Sequence, residues 1–148
     1  TVKKYIGVKI IAAEPMKLGE YNKMRGVCVD QNDAHYDDAG YKIVYSDDYV
    51  SWSPKDVFEK AYRTTMGMNF GLAIEAMKKG YKVRRRGWNG KGIHIALHEP
   101  KDTDEGMTHP YIYIDTTRLI SENPDAPRDR VPWLASQTDM LADDWVIV

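Results

Sequence analysis

The stretch from Asn69 to Leu97, NFGLAIEAMKKGYKVRRRGWNGKGIHIAL, leaves a chain like this few ways to fold. Phe70, Ala73, Ile74 and Met77 recur at i, i+3, i+4 and i+7, an apolar stripe along one short helix. Asn69 stands at the N-cap, where a side-chain oxygen can accept from an unpaired first-turn amide. Gly80 follows Lys78 and Lys79, where a helix ends in a left-handed residue. A basic strand then runs into Gly87-Trp88. Beyond it, Ile93, Ile95 and Leu97 alternate with His94, Ala96 and His98, the period of a half-buried strand. The connections after residue 80 are too short for most parallel crossovers, so the expected architecture is antiparallel. Between the strands lies Trp88-Asn89-Gly90-Lys91-Gly92. An aromatic side chain flanked by glycines allows backbone amides to approach a ligand, which makes this loop the first candidate for function.

With 148 residues, the chain has room for one domain or two small ones. A net charge of −1 gives no general attraction to a nucleic-acid polymer or an anionic membrane. No apolar run approaches the roughly 18 residues of a membrane span, and nothing resembles a signal peptide. The single cysteine, Cys28, can form neither an internal disulfide nor a cysteine metal cluster, so a reducing cytosol is expected.

Along the chain, Tyr5 to Ala12 is β-rich and expected as a strand, closed by Glu14-Pro15. Met16 to Met24 reads as a short helix, and Asp30 to Gly40 as a polar loop. Tyr41–Tyr45 and Tyr49–Trp52 flank Ser46-Asp47-Asp48, the pattern of a hairpin. Ser53-Pro54-Lys55-Asp56 gives a helix start with Ser53 as N-cap, Val57, Phe58, Ala61 and Tyr62 forming the apolar face. A boundary is expected in the linker that follows, separating a module of residues 1–65 from a domain of residues 66–148. In the second half, Pro110 to Ile114 is expected as a strand and Leu119 to Arg130, with two prolines, as a long surface loop. Ser136 and Asp139 form an acidic capping box for a short helix to about Ala142, and Trp145 to Val148 a final strand. The fold class is α+β: an antiparallel sheet packed with short helices, in a small C-terminal ligand-binding domain behind an N-terminal α+β module.

Three segments of the second half, NFGLAIEAMKKGYKVRRRGWNGKG, HPYIYI and VPWLASQTDMLADDWVIV, together resemble the phage Thoeris anti-defence sponge family of the second type. The resemblance covers residues 68 to 148. It implies a non-enzymatic phage protein of the host bacterial cytoplasm that captures a cyclic ADP-ribose isomer, glycocyclic ADP-ribose, the immune signal of Thoeris defence. Some members also hold cyclic dinucleotides, and members assemble as tetramers. A homotetramer without cofactor or metal is therefore implied. The long Leu119–Arg130 loop departs from the family pattern. Residues 1 to 65 lie outside the minimal domain and resemble leader modules, to which no function attaches.

With the resemblance, the candidate ligand-binding residues are Asn69, Phe70, Arg86, Trp88, Asn89, Gly90 and Lys91 in one segment, and Trp133, Ala135, Ser136, Gln137, Thr138 and Asp139 in the other. The chemistry of such a ligand fits them. A purine wants an aromatic face, worth about 1–3 kcal/mol per stacked base. A pyrophosphate wants backbone amides or cationic side chains, and ribose hydroxyls want Asn, Gln, Asp or Ser. The two segments are far apart in sequence, and only convergence in space would make them one site. Each residue also has a structural reading: Trp88 and Trp133 as core or sheet-end plugs, Ser136 to Asp139 as a cap, and the arginine run as a solvated face. In that run Arg84 and Arg86 share one side of the strand and Arg85 takes the other.

A rival class is an enzyme acting on a nucleotide or phosphodiester. His94 and His98 share a strand face but lie ~13 Å apart at about 3.3 Å per residue, too far to chelate one metal. Gly87 to Gly92 lacks the spacing and the Ser/Thr of a phosphate-binding Walker loop. A third reading is a phage structural or protein-interaction module, which the Tyr-rich first half favours.

Overall fold

The computed structural model describes residues 2–148. The chain divides into two compact units, Thr1–Arg63 and Thr64–Val148. Both are antiparallel sheets carrying short helices, an α+β fold.

In the first unit, strands β1 (Ala12–Pro15), β2 (Gly40–Val44) and β3 (Val50–Pro54) form an antiparallel sheet in that order. Helix α1 (Leu18–Met24) follows β1, and α2 (Lys55–Ala61) follows β3. The strand expected at Tyr5 to Ala12 begins only at Ala12 and runs through Pro15 instead. Tyr5 and Ile6 are 87% and 98% exposed, so the start of that run packs on nothing that would hold it as a strand. Pro15 is tolerated because β1 is an outer strand, where a missing N–H need not break a ladder. The hairpin closes with the Tyr45 amide donating to the Tyr49 carbonyl at 2.9 Å, and Asp48 takes a φ of 61° in the turn. Ser53 does not cap α2. Its pairing with Tyr41 keeps it in β3, and Pro54 takes the cap position without a side-chain bond. The aromatic side of α2 is nonetheless used: Phe58 stacks on Tyr41 at 4.2 Å and on Tyr62 at 4.9 Å.

In the second unit, α3 (Phe70–Lys78) packs against a five-stranded antiparallel sheet. Its strands are β4 (Val83–Arg85), β5 (His94–His98), β6 (Tyr111–Asp115), β7 (Arg130–Pro132) and β8 (Trp145–Ile147), in the order β7-β6-β5-β4-β8. A short helix, α4 (Gln137–Met140), precedes β8. Asn69 caps α3, its side chain accepting from the Leu72 amide at 2.9 Å. At the other end Gly80 has φ 87°, its amide donates to Met77 and that of Tyr81 reaches back to Ala76, the paired bonds of a Schellman stop. Ala73, Ala76 and Met77 of the helix are buried against Val83, Ile95 and Trp145 of the sheet. Strand β7 is not apparent in the sequence. All three of its residues are exposed, so no apolar pattern marks it.

Candidate functional site

Three tryptophans and a phenylalanine meet at one end of the second unit. Trp145 opens β8 opposite Arg85 of β4 and is fully buried. Trp88, just after β4, presents its ring edge-on to Trp145 at 5.4 Å and 77°. Trp133, just after β7, meets Trp145 at 6.0 Å and Trp88 at 6.1 Å. Phe70, at the start of α3, lies 5.3 Å from Trp145 and 6.1 Å from Trp133. Edge-to-face packing of this kind suits the ring quadrupoles. Trp145 is the floor, while Trp88 and Trp133 are only half-buried and keep ring surface for solvent. The two candidate segments thus converge within a single chain.

Asp139 ties this corner together. Its Oδ1 accepts from Arg85 Nη1 at 3.0 Å and, at the outer limit of a hydrogen bond, from Trp88 Nε1 at 3.5 Å. Its Oδ2 accepts from the Ser136 amide at 3.1 Å and the Ser136 hydroxyl at 2.7 Å, completing the capping box of α4. Its backbone carbonyl accepts from Trp145 Nε1 at 3.0 Å. Arg85 in turn donates through Nε to Asp144 Oδ1 at 2.8 Å, and Asp144 Oδ2 accepts from the Gly87 amide at 3.0 Å. Burial pushes both carboxyls upward. Hydrogen bonds from Ser136 and Arg85 to Asp139, and from Arg85 and Gly87 to Asp144, outweigh it and hold both below the usual carboxylate range.

Several candidates therefore serve the fold. Asn69 and Ser136 are engaged as caps, and Asp139 has both oxygens committed. Nor do the loop glycines keep their space for a ligand. A Cβ at Gly90 would sit 2.9 Å from the Ile93 Cδ1 atom. Gly92, at φ 84°, is where a Cβ would collide with the Arg118 carbonyl oxygen. There the loop bridges to Ile120, whose amide donates to the Lys91 carbonyl at 3.0 Å. Arg86, Asn89, Lys91, Gln137 and Thr138 are exposed, while Ala135 is half-buried. The polar groups left for a ligand are those exposed side chains.

Arg85 is the functional-site residue the sequence does not reveal. In an Arg-Arg-Arg strand the alternation says only that Arg85 faces away from its neighbours. Its partners are more than fifty residues on, in the acidic positions of the closing segment. The histidines of the enzyme reading are separated in environment as well as distance. His94 is buried, its Nε2 has no hydrogen-bond partner, and burial lowers its pKa. His98 pairs with Asp104 at 3.0 Å. Among the described residues no group of three His, Cys, Asp or Glu side chains gathers as a metal site.

A small antiparallel α+β domain with an aromatic corner joined by an Arg–carboxylate hub is the class this geometry defines. The family model of the Tad2-like, or Thoeris anti-defense 2-like, domain matches residues 68–148, and the chain belongs to that family. The protein named "Thoeris anti-defense 2" from Bacillus phage SP01 is 38% identical over 84 residues, covering 55% of this chain and 94% of that protein. Among the described residues, no helix is long and apolar enough to cross a membrane.

Proposed function

We propose that the second unit binds a cyclic ADP-ribose-type immune signal, glycocyclic ADP-ribose, and sequesters it intact, serving a phage against Thoeris defence in the host cytoplasm. The observation that carries this reading is the meeting of Trp88 and Trp133 at one half-buried corner. A purine stacked there would gain about 1–3 kcal/mol. Arg86 and Lys91, which flank Trp88 in the sequence, are exposed cations for the pyrophosphate, and Asn89, Gln137 and Thr138 are exposed side chains for the ribose hydroxyls. The same chemistry accommodates the bases of a cyclic dinucleotide. Asp139 and Asp144, the carboxylates of the corner, are committed to Arg85, Ser136 and the Gly87 amide, so neither is placed to serve a ligand as general base.

The working form in this proposal is a homotetramer. Leu134 and Leu141, on either side of α4, are 91% and 80% exposed, and subunit contact would cover such side chains. Light scattering should give four times the 17.0 kDa chain mass; a monomer at micromolar concentration would contradict it. To test capture, the purified protein is incubated with the cyclic ADP-ribose isomer, filtered and heated. Intact nucleotide released only on heating is expected. Altered nucleotide, or nucleotide free throughout, would overturn the reading.

A further inference from the structure

Strand β7 is the least supported strand of its sheet, yet it delivers Trp133. Its three residues are exposed, so apolar burial does little to hold them. It is an edge strand with β6 as its one neighbour, and Pro132, opposite Tyr113, stands where its backbone nitrogen faces away from β6 and adds nothing to the ladder. The connection from β6 is the long segment Thr116 to Asp129, not a tight turn that would set the register. A slip of one residue would turn every side chain to the opposite face. In the observed register the Trp133 amide donates to the Ile112 carbonyl at 2.9 Å, and its ring joins Phe70, Trp88 and Trp145. After such a slip the ring would point away from them.

A polar latch at the base of the hairpin selects that register. Asp115 is 3% exposed and stands directly opposite Arg130. Its Oδ2 accepts from Arg130 Nε at 2.8 Å, and its Oδ1 from the Thr117 amide at 2.9 Å and hydroxyl at 2.6 Å. Beside it, Thr116 Oγ1 accepts from the Asp129 amide at 2.9 Å and donates to the Asp129 carbonyl at 3.1 Å. His94, the partner of Asp115 on the neighbouring strand β5, comes no nearer to its carboxylate than 3.8 Å and does not replace the arginine. A shifted β7 would leave a buried carboxylate without its cation, a strongly unfavourable state.

We propose that Asp115 and Arg130 are positioning residues for ligand capture: their ion pair fixes the register of β7 and thereby places Trp133 in the wall of the site. The consequence for affinity rests on the function proposed above. To test it, the full chain is labelled with 5-fluorotryptophan, whose four resonances are assigned by single Trp→Phe changes. Arg130→Met is the main variant, because the Arg130 side chain is 66% exposed and its loss opens no cavity; Asp115→Asn is the second. The Trp133 resonance should move or broaden in both while that of Trp52, which lies in the first unit, holds. Affinity for the cyclic ADP-ribose isomer should fall about tenfold, and Arg130→Lys should recover part of both effects. A Trp133 resonance unchanged in Arg130→Met, with wild-type affinity, would overturn the proposal. Because the spectrum is read without ligand, a wild type that captures nothing overturns the proposed function alone and leaves the latch to be decided by the resonance.

Discussion

Replacing Arg85 by Met deprives two carboxylates of the cation they share. The side chains of Arg85, Asp139 and Asp144 are 18%, 13% and 26% exposed, so water can compensate only in part. A hydrogen bond to a charged group contributes about 1.5–3 kcal/mol, and breaking a fully buried pair costs about 3–5 kcal/mol. With residual solvation, the expected loss is about 2–4 kcal/mol. For a unit of this size that lowers the melting temperature on the order of 15 °C, at ~4–8 °C per kcal/mol. The loss should carry a pH signature. Asp139 and Asp144 have folded-state pKa values below the usual range, so their contribution is complete above the unfolded value of about 3.9 and is lost as pH falls through the folded values. The gap between wild type and Arg85→Met should be full near neutral pH and close below about pH 4. Urea unfolding followed by tryptophan fluorescence across a pH series measures it. A gap under about 1 kcal/mol, or one that does not change with pH, would refute the ion-pair reasoning.

Trp88→Ala should affect both stability and capture, because the ring packs on Trp145 and Trp133 and remains half-exposed. Folding should lose about 2–3 kcal/mol, below the 3–5 of a fully buried aromatic, and affinity should fall about tenfold; calorimetry and ligand titration on one sample check both. If Arg86 and Lys91 meet the pyrophosphate, affinity should fall as salt is raised, and Arg86→Gln with Lys91→Gln should flatten that dependence; a slope unchanged by the double variant would assign phosphate recognition elsewhere. Burial keeps His94 neutral, opposed by Asp115 and assisted by Lys82, Arg118 and Arg130. Stability should therefore be complete above about pH 6.5 and decline as pH falls toward the folded-state value, a slope that His94→Gln should abolish in denaturant melts.

The helix from Asn69 to Gly80 is legible in the sequence because its cap, apolar stripe and stop are all local signals, and each appears in the structure. The capping box of Ser136 and Asp139 is legible for the same reason. Other features depend on distant partners. Strand β7 has no apolar alternation, and its register is selected by Asp115. Arg85 looks like one of three equivalent arginines until Asp139 and Asp144 are brought to it. The glycines around Trp88 illustrate the limit of composition. Three in a short loop suggest room for a ligand, yet Gly87 binds Asp144, and Gly90 and Gly92 adjoin residues 118 and 119. At Trp88 the sequence offers core or stacking surface as alternatives, and the ring's geometry permits both.

The most direct test is the mass of what the corner holds. The protein and its Trp133→Ala variant would be purified from cells that make the Thoeris signal, then denatured, and the released small molecules analysed by mass spectrometry. Wild type should release unmodified cyclic ADP-ribose isomer in near-stoichiometric amount, and the variant little or none. A hydrolysed product, or equal loading of the two proteins, would contradict intact capture at the tryptophan corner.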